Sequence, residues 1–74
     1  MSIARVTEIS STSTVGFEDA IRKGVTRATQ TLRNVRSAWV KEQSVRVEGD
    51  AIVEFQVNLM ITFVLEGDDD RKMA

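Results

Sequence analysis

Residues 51–65, "AIVEFQVNLMITFVL", constrain the fold more than any other stretch. Val53, Phe55, Val57, Leu59, Ile61, Phe63 and Leu65 occupy every second position. Side chains on a strand alternate between faces, so this one has a wholly apolar side that must be covered. The preceding residues 35–48 also read as a strand, and Gly49-Asp50 between the two is a hairpin signal.

The cover is found upstream. Residues 15–33 read as an amphipathic helix with Phe17, Ile21, Gly24, Val25, Ala28 and Leu32 on one stripe. Glu18 and Asp19 lie in its first turn, where the helix dipole favours anions, and they precede Arg22 and Lys23 by four. Arg27 and Arg33 load the C-terminal half with positive charge. A glycine on the buried stripe implies close passage of the sheet at Gly24. Ser13 or Thr14 is expected to cap the helix, and Asn34 to stop it. Residues 2–10 alternate loosely and read as a strand, broken by the turn-favouring "SSTST". The expected fold is therefore α+β, in the order β-α-β-β: a three-stranded antiparallel sheet packed on one helix. Residues 1–67 are expected to form a single domain, and residues 68–74 a charged, flexible tail.

A chain of 74 residues buries too little apolar surface to be comfortably stable alone. It has no cysteine for disulfides and no histidine for catalysis or metal binding. Self-association is the remaining source of stability. A net charge of −1 supplies no large positive field for nucleic acid. No apolar run is long enough to span a bilayer and the N-terminus lacks a signal pattern, so a cytoplasmic location is expected. No acid, base and nucleophile assemble, so no enzymatic activity is expected. Asp68-Asp69-Asp70 lacks the spacing of a calcium loop, and no metal site is expected.

Trp39, the only tryptophan, decides where function could lie. If the hairpin turn is Gly49-Asp50 alone, Glu48 faces Ala51. Running the pairing back puts Trp39 opposite Met60, Lys41 opposite Asn58 and Gln43 opposite Gln56. Directly opposite residues share a face. Trp39 would then stand on the side away from the helix, with Ser37, Lys41, Gln43, Gln56, Asn58, Met60 and Thr62. Arg46 would lie on the helix side, near the end of the sheet. A three-residue turn would reverse one strand and return Trp39 to the core, together with Lys41 and Gln43 at a desolvation cost. An outward indole reads either as a ligand platform or as filling for a subunit interface.

The stretches "TEISSTS", "EDAIRKGVTRATQTLRNV", "WVKEQSVRV" and "FQVNLMITFVLEG", in that order, resemble the dodecin family. The resemblance implies a hollow homododecameric shell that stores or sequesters flavin (riboflavin, FMN or FAD). It implies that Trp39 stacks on the isoalloxazine ring and that Gln56 hydrogen-bonds its pyrimidine edge. Two flavins would lie between the tryptophans of neighbouring subunits at a two-fold axis. Arg46 resembles a basic position that some members use for the phosphate of a nucleotide flavin or of coenzyme A. The tryptophan stands about two residues farther from the helix than in typical flavin-binding members. That displacement keeps the strand face and moves the ring roughly 6–7 Å. Some dodecin-like proteins lack the tryptophan and hold cations, so the alternative is a structural or cation-binding shell.

Overall fold

The computed structural model describes residues 3–65. Four elements follow in chain order: β1 (Ala4–Ser13), α1 (Phe17–Thr31), β2 (Val35–Glu48) and β3 (Ala51–Val64). They form one antiparallel sheet in the order β1-β3-β2, with α1 on one face. This is the expected β-α-β-β architecture. The expected tail, residues 68–74, lies outside the described residues.

The alternating strand occupies the centre of the sheet. Val57, Leu59 and Ile61 of β3 are fully buried against Ala20 and Ala28 of α1, with Ile9, Phe17, Ile21, Val25, Leu32 and Val35 around them. Phe17 and Phe55 meet edge to face, 5.1 Å between ring centroids, and lock the start of the helix onto β3. Gly24 permits the close approach of helix and sheet. A Cβ placed there would lie 2.8 Å from Leu59 Cδ1 and 3.1 Å from Ser11 Cβ. Ser11 Oγ donates to the Ala20 carbonyl at 2.7 Å and ties the helix to β1.

The ends of β1 and α1 differ from expectation. β1 runs through the serine-rich segment to Ser13, because Ser10–Ser13 pair with Phe55–Asn58. Ladder partners along β3 outweigh the turn preference of isolated serine and threonine. The helix cap is Gly16, and neither Ser13 nor Thr14 caps it. Buried Ser13 instead organises the approach: its Oγ accepts from the Val15 and Gly16 amides and donates to Asp19 Oδ2 at 2.6 Å. That hydroxyl, then Lys23 at 3.1 Å, holds the Asp19 carboxyl below the ordinary carboxylate range.

The helix ends at Thr31, and the chain turns at Asn34, which takes a left-handed conformation (φ 61°). Asparagine tolerates that region better than most residues. The Asn34 carbonyl accepts from the Val64 amide at 3.0 Å, which starts β2 beside the end of β3. At the other end Gly49 has φ 65° and Asp50 does not share the positive φ, the signature of a two-residue turn with glycine first.

Gly24→Ala gains up to about 1 kcal/mol of helix propensity but overpacks Leu59 and Ser11 at a cost of roughly 1–3 kcal/mol. We expect a net loss of about 1 kcal/mol in urea unfolding. Asp19 titrates lower in the folded chain than in the unfolded one. Its contribution is therefore complete above the unfolded carboxylate value and lost as pH falls through the folded one. Asp19→Asn should lower stability at neutral pH and flatten its decline on acidification, as read by thermal unfolding across pH.

Candidate functional site

The helix covers only one side of the sheet, and the other side forms an open face. Phe55, Val57, Leu59 and Ile61 are drawn to the helix, so Gln56, Asn58, Met60 and Thr62 must project from the opposite side. β1 contributes Val6, Glu8, Ser10 and Thr12, which pair with Thr62, Met60, Asn58 and Gln56. β2 contributes Trp39 opposite Met60, as the two-residue turn predicts. The indole is 51 % exposed and lies outside the chain's core.

The pairing between β2 and β3 is not uniform, and this changes three assignments. The register slips once between Arg46 and Val47, where Val53 is passed over, and slips back between Val40 and Glu42, where Lys41 is passed over. The two shifts cancel at Trp39 but displace everything between them by one residue. Gln43 is therefore opposite Val57, not Gln56, and Ser44 takes its expected place. Lys41 has no direct partner in β3. It still serves the open face, where its Nζ lies 3.3 Å from Glu8 Oε1. Arg46 is opposite Glu54 and so lies on the open face, not on the helix side. Its guanidinium is engaged by Glu54 and Glu48. A bulge puts two residues of one strand against one of the other, and the turn sequence carries no trace of it.

Five polar side chains on the open face, Lys41, Glu8, Asn58, Gln56 and Ser10, form one connected chain. Lys41 Nζ donates to Glu8 Oε1; Asn58 Nδ2 donates to Glu8 Oε2 at 3.2 Å. Gln56 Nε2 donates to Asn58 Oδ1 at 3.3 Å and to Ser10 Oγ at 3.2 Å. The chain runs from β2 across the central strand to β1. The sequence pattern places Gln56, Asn58 and Lys41 on this face but not Glu8 and Ser10, because no tight turn joins β1 to β3 and fixes their register.

The pairing position of Trp39 is four residues from Gln56 along β3, roughly 13 Å of strand. Met60 and Asn58 fill the interval. The face thus offers a half-exposed flat aromatic group at one end and an amide held by hydrogen bonds at the other. Among the described residues no three His, Cys, Asp or Glu side chains converge to hold a metal ion. No helix of the described residues is long and apolar enough to cross a membrane.

The chain is thus a small α+β protein: a three-stranded sheet covered on one side by a single helix, with tryptophan and glutamine on its uncovered side. The chain belongs to the dodecin family, whose family model matches residues 3–66. Solved dodecins share the fold. The dodecin from Streptomyces davaonensis is 36 % identical, with 89 % of this chain and 97 % of that one covered and a TM-score of 0.83. An arginine-to-alanine variant of T. thermophilus dodecin is 33 % identical, covers 90 % and 100 %, and has a TM-score of 0.83. A calcium dodecin from Mycobacterium tuberculosis, described with a calcium-binding site, is 26 % identical, covers 92 % and 97 %, and has a TM-score of 0.77. No match is found among curated proteins.

The Lys41–Glu8 pair is about half exposed on both sides, so its worth to stability is small. Lys41→Gln should shift the unfolding free energy by no more than ~1 kcal/mol, measured by urea titration.

Proposed function

We propose that this chain is a flavin-binding storage protein, acting as a homo-oligomeric shell, expected from the family resemblance to be a dodecamer, with no turnover of its own. The observation that carries the reading is Trp39: a large apolar ring left half exposed on the same sheet face as Gln56, in a member of the dodecin family. An indole exposed in this way loses apolar contact with water when a flat ring stacks on it. Offset stacking contributes about 0.5–1.5 kcal/mol beyond the area buried. A flavin lying along the sheet from Trp39 brings its pyrimidine edge towards Gln56, whose amide supplies the polar contact. Stacking would quench the excited state of the bound cofactor, and sequestration would keep it out of solution.

Arg46 is the residue proposed for the phosphate of FMN, FAD or coenzyme A. It shares the open face, but Glu48 and Glu54 already neutralise it. A phosphate must displace those carboxylates, so riboflavin and FMN should bind within a few-fold of each other.

A second reading has its own support. The calcium dodecin of Mycobacterium tuberculosis shares the fold, which favours a cation-holding shell with Trp39 buried between subunits. Titration of riboflavin fluorescence with the protein separates the two. Under the flavin reading fluorescence is quenched to saturation, and Trp39→Ala abolishes quenching while the oligomer persists in size-exclusion chromatography. Unchanged flavin fluorescence, with heat released on adding calcium, would establish the second reading instead.

A further inference from the structure

The polar chain on the open face has a direction, and the direction determines what Gln56 can recognise. A carboxylate such as Glu8 only accepts hydrogen bonds, whereas an amide has one donating and one accepting end. Glu8 takes Lys41 Nζ on one oxygen and Asn58 on the other, so Asn58 must offer it Nδ2. Asn58 Oδ1 is thereby turned to Gln56, which must answer with Nε2. The second N–H of that nitrogen goes to Ser10 Oγ. Reversing Gln56 would set two carbonyl oxygens against each other at Asn58. Reversing Asn58 as well would set its oxygen against Glu8. Gln56 Oε1 makes no hydrogen bond among the described residues and is the amide atom left for a ligand.

We infer that Glu8 and Asn58 are positioning residues which hold Gln56 with its carbonyl outward, making the site selective for a ligand edge that donates an N–H. This rests on the flavin reading and sharpens it. Both amide hydrogens are already committed, so the glutamine acts as an acceptor alone, towards an imide N–H flanked by carbonyls. The carbonyls of that edge must find their donors elsewhere. A flat aromatic ligand without an N–H at this edge stacks on Trp39 but leaves Gln56 Oε1 unpaired.

The test compares riboflavin with 3-methylriboflavin, in which the imide N–H is replaced by N–CH3, by fluorescence titration of the intact oligomer. Wild type should prefer riboflavin about tenfold or more, the factor expected for one lost hydrogen bond with its acceptor left unpaired. Glu8→Gln replaces the acceptor-only group by an amide of the same shape that can also donate. Asn58 and Gln56 can then turn over together, and the preference should fall below about threefold. Asn58→Leu removes the link itself and should do the same without depending on Glu8. In both variants quenching through Trp39 should persist. Equal binding of the two flavins by wild type overturns the inference and leaves the flavin reading standing. So does a preference unchanged in both variants, which would mean that the methyl group is excluded by size. Absence of riboflavin binding by wild type would defeat the flavin reading and this inference with it.

Discussion

Burial of Val57, Leu59 and Ile61 against the small-residue stripe of α1 is the constraint on which the rest depends. Ala20, Gly24 and Ala28 let the helix lie close enough to seal one side of β3. Because strand side chains alternate, sealing one side obliges Gln56, Asn58 and Met60 to occupy the other. The hydrophobic effect, acting on residues that touch no ligand, thus selects which polar groups are presented. A fully buried Leu or Val contributes on the order of 1.5–3 kcal/mol, so no surface interaction on the open face could reverse the choice.

Apolar surface stays open to water on the uncovered side and along β2. Nearly all of β2 is exposed: only Val35 is partly buried, and Val40 and Val45 on the helix side of β2 remain accessible alongside Trp39. The helix packs mainly on β1 and β3 and leaves β2 as an edge. Such an edge could pair with other chains indiscriminately. Register shifts on β2, with Arg36 and Lys41 passed over in the pairing, interrupt the ladder and place charge along it. Contact through side-chain faces is thereby favoured over extension of the sheet. A sheet face carrying an indole suits assembly and ligand binding alike, since both remove the same apolar surface from water.

Polar order on the open face follows from one charged group. Glu8 accepts and cannot donate, and this asymmetry passes through Asn58 to Gln56. The ion pair with Lys41 contributes little to stability at its exposure. Its interest lies in orientation: two edge strands are joined across the central one at a point beside the proposed ring site. The small energy of an exposed bond and its effect on specificity are separate quantities, because the latter is a difference between two ways of satisfying the same groups.

The sequence alone determined the order of elements, the hairpin at Gly49-Asp50, the apolar side of β3, the tight passage at Gly24 and the face on which Trp39 stands. Those features follow from local periodicity and from turn chemistry, which act over a few residues. Only the tertiary structure decided that β1 continues through Ser13, that Ser44 rather than Gln43 lies opposite Gln56, that Arg46 shares the open face, and that Glu8 directs the amide chain. Each depends on how one strand is matched to another across the sheet. A bulge costs one unpaired residue and is chosen by packing along the whole hairpin, so no short stretch of sequence announces it.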